Sequence, residues 1–261
     1  MAKFSLPIYK GMNPILGGLY KFYYNPKVIG IENIPRHGRL VVVGNHKHVM
    51  DQCNIMCNTK RVIRYLAKKE YFDSNHAWFF QLFGCIPVDR SRKDNNAKSK
   101  ALYILEHNHA IGLFPEGTRN SLKDPTIRKL YRFYRYEYSY KKFRKLIRKN
   151  NPKKTQVDIL LKLYDHKKIK LKDLKDNLFD LDNYLKRILP EDKYLDSLLL
   201  PLKYGAVSMA SKMDAYILPF GISGDYKFRS KNLVVKIGKP YKVSSNLVKE
   251  NQILINFWKQ N

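Results

Sequence analysis

Short apolar runs that end in polar residues recur along the first half of the chain. Residues 40–43 read Leu-Val-Val-Val, residues 62–67 repeat the pattern, and a third run reaches Phe114 before Pro115. Runs of this length are typical of buried strands, whereas residues 94–105 carry apolar positions at helical spacing. Strands that alternate with helices in this way predict an α/β fold with a mixed, largely parallel sheet flanked by helices.

Two more strands and a closing helix are predicted after residue 199. Residues 217–222 and 234–237 have the apolar make-up of strands, and a helix of small residues precedes them at 203–210. From Asn246 the apolar positions again recur at helical spacing. We expect these elements to join the same sheet and its helical layers.

The segment between the two halves, residues 121–198, differs from the rest. Residues 128–149 interleave Arg and Lys with Tyr and Phe, and from Leu171 leucines alternate three and four apart up to Pro190. That spacing predicts one long amphipathic helix. We interpret 121–198 as a basic helical insertion of two to four helices. Its apolar stripe is a seam within the insertion, or its Arg/Tyr-rich helix lies on anionic lipid or on an acidic acyl carrier.

The net charge of the chain indicates which classes of binding partner it favours. The formal net charge is +28, from 50 Lys and Arg against 22 Asp and Glu. A surface this basic favours polyanions, which include nucleic acid, an anionic leaflet and phosphorylated substrates. A nucleic-acid-binding protein is therefore the alternative of another class. However, the sequence has no helix-turn-helix, zinc or RNA-binding signature.

Cysteine spacing argues against a disulfide framework and against metal binding. The three cysteines are Cys53, Cys57 and Cys85, and with the histidines they form no zinc-ligand pattern. We expect reduced thiols and no metal.

The N-terminal residues 1–24 mix aromatic and aliphatic side chains with lysines and glycines. Such a segment suits the headgroup region of a membrane, and we predict an amphipathic, membrane-associating segment; the alternative is a short helix packed on the core. No apolar stretch reaches about 18 residues, so we expect a peripheral protein.

A histidine and an aspartate stand where the first predicted strand ends. His46 and Asp51 would lie about 140° apart in one straight helix, so the pair works best with His46 in the turn and Asp51 early in a helix running to residue 60. A carboxylate on one ring nitrogen fixes the tautomer of an imidazole and stabilises its cation. The pair is thus a candidate general base with its orienter. The plainer alternative is a helix cap formed by Asn45 or His46.

Three other segments give this pair its context. Residues 84–90 follow the pattern Gly-x-Ile-x-x-x-Arg, residues 114–119 read Phe-Pro-Glu-Gly-Thr-Arg, and residues 217–220 read Ile-Leu-Pro-Phe. Together with Asn-His-x-x-x-x-Asp, these blocks resemble the acylglycerophosphate acyltransferase family, the enzymes that make phosphatidic acid from lysophosphatidic acid. The resemblance covers roughly residues 25–120 and 199–245. Its main departure is His48, where serine is usual.

The resemblance implies an O-acyltransferase of phospholipid biosynthesis. It implies transfer of an acyl group from acyl-CoA or acyl carrier protein, as co-substrate, to the free hydroxyl of lysophosphatidic acid, with no other cofactor. His46 would be the base and Asp51 its orienter, without a covalent acyl-enzyme. Residues 25–120 and 199–261 would form the catalytic domain. Glycerol-3-phosphate or another lysophospholipid is the alternative acceptor.

The other blocks suggest residues that bind the substrate. Arg90 and Arg119 are expected at the phosphate because a guanidinium offers a planar fork of donors. Gly117 would let backbone N–H groups approach the anion, with Thr118 in the same loop. Glu116 would orient an arginine or receive a glycerol hydroxyl. We expect a weaker role for Lys203.

The expected setting follows from these assignments. The partners would be an anionic membrane surface, a lysophospholipid and the acyl donor, at the cytoplasmic side of the membrane, with no nucleic acid. His48 is expected to be an uncommitted surface histidine, or else to replace the missing serine's hydrogen bond.

Overall fold

The computed structural model describes residues 4–92 and 94–260, and the chain divides into two units. The first unit is Met1–Thr118 with Leu202–Asn261, and the second is Arg119–Pro201. The segment interpreted as an insertion, residues 121–198, falls inside the second unit.

The helices and strands follow one another in chain order. Up to residue 118 they are α1 (Leu6–Tyr24), β1 (Lys27–Ile29), β2 (Leu40–Gly44), α2 (Cys53–Met56), β3 (Ile63–Lys68), α3 (Ala77–Leu82), β4 (Ile86–Val88), α4 (Asn95–Glu106) and β5 (Ala110–Leu113). The second unit contains α5 (Asp124–Tyr131), α6 (Tyr140–Asn150), α7 (Lys154–Asp165), α8 (Leu171–Asn177), α9 (Leu181–Ile188) and α10 (Glu191–Asp196). The first unit then resumes with α11 (Gly205–Lys212), β6 (Tyr216–Ser223), β7 (Val234–Ile237), β8 (Tyr241–Lys242) and α12 (Leu247–Lys259).

The strands of the first unit form one mixed sheet in the order β1-β7-β6-β2-β5-β3-β4, with β8 also paired to β6. The pairs β1/β7, β2/β5, β2/β6, β3/β4 and β3/β5 are parallel. The pairs β6/β7 and β6/β8 are antiparallel. The predicted fold class, a largely parallel sheet flanked by helices, is confirmed. The short strands β1 and β8 were not predicted.

The central strand β2 is buried on both faces, as its unbroken apolar sequence predicts for a parallel sheet. Leu40 and Val42 pack with Tyr9 of α1 and with Ile55 and Met56 of α2 in one core. Helix α4 packs on β4 and β5, α11 on β2 and β6, and α12 on β6. The side chain of Asp94 accepts the N–H of Ala97 and begins α4.

Helix α1 packs on this core by one face. Tyr9 and Tyr20 are buried, whereas Ile15, Leu19 and Phe22 on another face are 61–66 % exposed. The interpretation as a helix packed on the core is confirmed for the first face. Among the described residues, no helix is long and apolar enough to cross a membrane.

The second unit has more and shorter helices than predicted. Residues 119–201, all of which the structure describes, form six helices rather than two to four. The single long helix predicted from Leu171 is wrong, because a 3₁₀ turn at Leu178–Asp180 separates α8 from α9. A turn of three residues keeps the leucines on one face. The buried leucines of this face are Leu174, Leu178, Leu181 and Leu185.

Candidate active site

The sheet register brings two of the sequence blocks together. Val43 of β2 pairs with Leu113 of β5, and Gly44 pairs with Phe220 of β6. Since these strands are parallel, the loops after residues 44 and 113 leave the same edge of the sheet side by side. The segments that begin at Asn45 and Phe114 are therefore neighbours.

Asn45 fixes the first of these loops to β6. Its side-chain amide donates to the carbonyl of Ile222 at 3.0 Å and accepts the N–H of Ile222 at 2.8 Å. Gly44 must lack a side chain, because a Cβ there would lie 2.2 Å from the ring of Phe220. The loop thus leaves the sheet in a fixed direction, and Asn45 anchors it rather than capping a helix.

The predicted helix over residues 46–60 is wrong for most of its length. Residues 48–52 form turns, and only Cys53–Met56 is helical. The reason is the carboxylate of Asp51, which turns back and accepts the backbone N–H groups of Lys47 and His48 at 2.7 and 2.8 Å. Such side-chain acceptors compete with helical hydrogen bonds.

His46 and Asp51 are in direct contact. Nδ1 of His46 lies 2.8 Å from Oδ2 of Asp51, whose side chain is fully buried while that of His46 is 15 % exposed. A buried carboxylate is stable only when it is hydrogen-bonded, and these contacts supply donors. Since the carboxylate accepts, we place the imidazole proton on Nδ1, and Nε2 then carries the lone pair. The ring stacks on Phe114, with centroids 4.3 Å apart and planes at 12°.

Glu116, in the segment 114–119, accepts a hydrogen bond from the backbone of the same histidine. Its side chain is 5 % exposed, and Oε1 accepts the backbone N–H of His46 at 2.8 Å. A contact to the backbone of His46 was not expected from the sequence, which suggested an arginine or a glycerol hydroxyl as partner. The buried carboxylate of Glu116 therefore joins the segment 114–119 to the loop that begins at Asn45.

A third buried contact reaches Asp51 from a distant loop. The hydroxyl of Tyr226 donates to Oδ1 of Asp51 at 2.7 Å. The ring of His48 stacks on Tyr226, with centroids 4.4 Å apart and planes at 20°. The interpretation of His48 as an uncommitted surface histidine is wrong, since its ring is packed and partly buried. Its Nδ1 also accepts the N–H of Met50 at 3.3 Å.

A cavity of about 290 Å³ opens beside this group. Phe114 belongs to its lining and stacks on His46, so the cavity and the histidine share one wall. Its charged lining consists of four cations and two carboxylates, so cations are in excess: Arg90, Arg92, Lys98, Lys203, Asp89 and Asp94. Arg90 and Lys203 are both exposed. The cavity has an apolar part formed by Leu66, Val88, Ala97, Leu113 and Met209. It can therefore take a molecule with an anionic head and an apolar portion.

The loop of residues 114–119 has a backbone that requires glycine at one position. Gly117 has φ +70°, and a Cβ there would lie 3.0 Å from Nζ of Lys203. The backbone N–H of Lys203 donates to the carbonyl of Pro115 at 2.9 Å, which ties this lysine to the loop. Thr118 is exposed at the end of this part of the first unit, and Arg119 is exposed and is the first residue of the second unit.

The sequence did not identify every residue of the group. Asn45 was named as a cap and as part of a motif, and Phe114 only as part of a motif. Tyr226 lies 175 residues from Asp51 and outside every block, so nothing in the local pattern marks it. Its contact exists only through the loop between β6 and β7.

Comparison with known proteins agrees with this architecture. Residues 25–223 match the family described as acyltransferase. The 1-acyl-sn-glycerol-3-phosphate acyltransferase of Bacillus subtilis is 28 % identical over 132 residues, which cover 49 % of this chain and 62 % of that protein. The protein of the same name from Borreliella burgdorferi is 31 % identical over 103 residues, covering 38 % of this chain and 41 % of that protein. The matches thus span less than two thirds of either relative.

One solved structure is similar over almost the whole chain. It is the 1-acyl-sn-glycerophosphate (LPA) acyltransferase PlsC of Thermotoga maritima, with a TM-score of 0.55 and 16 % identity. The match covers 98 % of this chain and 77 % of that one. At this identity the likeness concerns the fold.

Proposed function

The chain belongs to the acyltransferase family, and on that premise we propose that it moves an acyl group from a thioester to the free hydroxyl of lysophosphatidic acid. The product is phosphatidic acid, made for phospholipid biosynthesis. The two relatives described above carry the name of this reaction. The acyl donor is acyl-CoA or acyl carrier protein.

The observation that carries the proposal is the contact between His46 and Asp51 at 2.8 Å, at the strand ends and beside a cavity whose lining has more cations than carboxylates. A neutral imidazole oriented by a buried carboxylate is suited to take a proton from an alcohol. Because Phe114 both stacks on His46 and lines the cavity, the proposed base lies next to the cavity.

The chemistry needs one proton carrier and no covalent intermediate. Nε2 of His46 takes the proton of the acceptor hydroxyl while its oxygen attacks the thioester carbonyl. The tetrahedral intermediate then expels the thiolate as the carbon–sulfur bond breaks. His46 returns the proton to the thiolate sulfur, which restores the neutral imidazole. Asp51 holds the ring and stabilises the imidazolium that forms between these steps.

The cationic wall of the cavity fits the anionic head of the acceptor. We assign the phosphate to Arg90 and Lys203, whose side chains line the cavity. For Arg119 the same role is proposed from the sequence motif alone. Gly117 and Thr118 supply the loop backbone that approaches the anion. Glu116 acts as a positioning residue, because its carboxylate holds the N–H of His46 at 2.8 Å.

Helix α1 gives a physical reason to place this reaction at a membrane surface. Ile15, Leu19 and Phe22 leave apolar surface exposed, and Lys10 and Lys21 on the same helix are exposed cations. Apolar side chains that are flanked by lysines favour the interface of an anionic leaflet. We therefore propose peripheral association through α1, at the cytoplasmic side, where a lysophospholipid acceptor would also reside.

The second unit offers another cationic surface. Helix α6 buries Phe143 and Ile147 and exposes Lys141, Lys145 and Arg148. Such a face attracts an anionic partner. We assign an anionic lipid surface to it as well.

One assay tests the proposed reaction. Purified protein is mixed with lysophosphatidic acid and a panel of acyl-CoA and acyl carrier protein thioesters, and the products are read by mass spectrometry. We expect phosphatidic acid and free thiol in equal amounts. Glycerol-3-phosphate and lysophosphatidylcholine are offered in parallel. Acylation of one of these in preference to lysophosphatidic acid would contradict the assigned acceptor, and no acylation of any acceptor would contradict the reaction.

A further inference from the structure

The loop between β6 and β7 reaches the carboxylate that orients the base. Oδ2 of Asp51 accepts from His46 and from two backbone N–H groups, whereas Oδ1 accepts the hydroxyl of Tyr226 at 2.7 Å. The two oxygens are thus held by residues that lie far apart in the chain, Oδ2 by residues 46–48 and Oδ1 by Tyr226. A carboxylate held at both oxygens cannot rotate without losing a hydrogen bond.

The hydroxyl of Tyr226 is itself held in one direction. The side-chain amide of Asn54 donates to this hydroxyl at 2.7 Å, so the phenolic proton is left to point toward Asp51. The hydroxyl of Tyr20, on α1, donates to Oδ1 of Asn54 at 2.6 Å. Hydrogen bonds aligned in one direction polarise one another and strengthen the last bond of the series. We call Tyr20, Asn54 and Tyr226 the relay.

The surroundings keep Tyr226 in place and protonated. Its ring is stacked on His48, and the ring of Tyr24 meets it edge-on with centroids 5.3 Å apart. Burial, and then the negative charge of Asp51, raise the pKa of Tyr226 far above its usual range. The phenol is therefore a donor at every working pH.

We propose that Tyr226 is a positioning residue of the reaction, which fixes the carboxylate of Asp51 and, through it, the ring of His46. Through the hydrogen bonds of the relay, α1 is linked to Asp51 and hence to His46. His48 serves the same arrangement by packing on Tyr226. The inference rests on the proposed function, since it assumes that His46 is the base.

The first test removes one hydroxyl and leaves the ring. Tyr226→Phe keeps the stack on His48 but takes the donor from Oδ1 of Asp51. A hydrogen bond to a charged group is worth about one to two powers of ten in an equilibrium or a rate. We expect kcat to fall roughly tenfold to a hundredfold, with KM for both substrates within about twofold of wild type. Tyr24→Phe, which removes a hydroxyl outside the relay and keeps the ring that packs on Tyr226, is the matched control and should retain wild-type kcat.

The second test asks whether Tyr226 acts through Asp51. Tyr226→Phe is combined with Asp51→Asn in a double-mutant cycle on kcat. If Tyr226 positions the carboxylate, the double variant should be no slower than Asp51→Asn alone. Independent, multiplied losses would overturn the proposal, because a purely structural effect would persist when the carboxylate is already absent.

A spectroscopic readout separates positioning from loss of folding. The Nδ1 proton of His46 in its bond to Asp51 should give a downfield proton resonance, and Tyr226→Phe should shift it while Tyr24→Phe leaves it in place. An unchanged resonance together with wild-type kcat in Tyr226→Phe would refute the relay. If His46→Ala nevertheless abolishes turnover, the proposed function stands and only the role of Tyr226 fails.

Discussion

The backbone N–H of His46 donates to Oε1 of Glu116 across 2.8 Å. This bond joins two segments that are 70 positions apart in the chain, and it is possible because β2 and β5 are parallel neighbours in register. This hydrogen bond is the basis of the positioning role that we propose for Glu116 toward His46.

The role of Glu116 can be tested with one variant that removes only its charge and one that also removes its hydrogen-bond acceptor. Glu116→Gln keeps an oxygen acceptor for the N–H of His46, so we expect it to retain most of kcat. Glu116→Ala leaves that N–H without its acceptor, which costs about 1–3 kcal/mol in a buried site. We expect lower thermal stability and a clear loss of kcat in the alanine variant. Equal activity of the two variants would contradict a role through this hydrogen bond.

Asp51→Asn should damage the reaction almost as much as loss of the base. The amide group cannot accept simultaneously from His46 and from the backbone N–H groups of Lys47 and His48 as the carboxylate does. It also favours the other tautomer of the imidazole. By analogy with other carboxylate–histidine pairs, we expect kcat to fall about 10²–10⁴-fold. Steady-state kinetics measure the loss, and a variant with near-normal kcat would show that Asp51 does not orient the base.

The cationic residues should affect binding more than turnover. Arg90→Ala and Arg119→Ala remove guanidinium groups assigned to the acceptor phosphate. A charge-assisted hydrogen bond contributes about 1.5–3 kcal/mol, so KM for lysophosphatidic acid should rise by roughly tenfold or more while kcat changes little. Lys242→Ala, which removes an exposed cation paired with Asp214, is the control. A rise in KM of the same size in this control would indicate a general charge effect instead.

Membrane association should depend on the exposed face of α1. Replacing Ile15, Leu19 and Phe22 by Gln keeps a good helix former but removes three exposed apolar side chains. At roughly 1 kcal/mol each, the loss amounts to about a hundredfold in affinity for anionic vesicles. Activity on detergent-dispersed lysophosphatidic acid should be retained. Flotation measures the binding, and Val248→Gln on α12, where the side chain is 66 % exposed, is the control. Unchanged flotation of the triple variant would contradict the role of α1.

The sheet and the pairing of His46 with Asp51 could be predicted from the sequence because their signals are local. Apolar runs mark the strands, and His46 and Asp51 follow one of them within a few residues. The short extent of α2 could not be predicted, since it depends on the carboxylate of Asp51 turning back to the loop. The break between α8 and α9 is hidden because three residues of 3₁₀ helix preserve the leucine spacing.

The remaining contacts of the site could not be predicted for a different reason. Tyr226 reaches Asp51 only when the loop after β6 folds against the end of β2, and Glu116 reaches His46 only through the sheet register. Neither contact leaves a pattern in the neighbouring sequence. Long-range hydrogen bonds of this kind become visible only in three dimensions.

The most direct test of the account is the turnover of His46→Ala with lysophosphatidic acid and the preferred acyl thioester. The side chain is only 15 % exposed, stacks on Phe114 and contacts the buried carboxylate of Asp51, so the thermal unfolding transition of the variant is measured beside its turnover to show that it is folded. General-base catalysis contributes about 10²–10⁴-fold, and we expect phosphatidic acid formation to fall by at least the lower of these factors. Near-normal turnover by a folded His46→Ala variant would contradict the account.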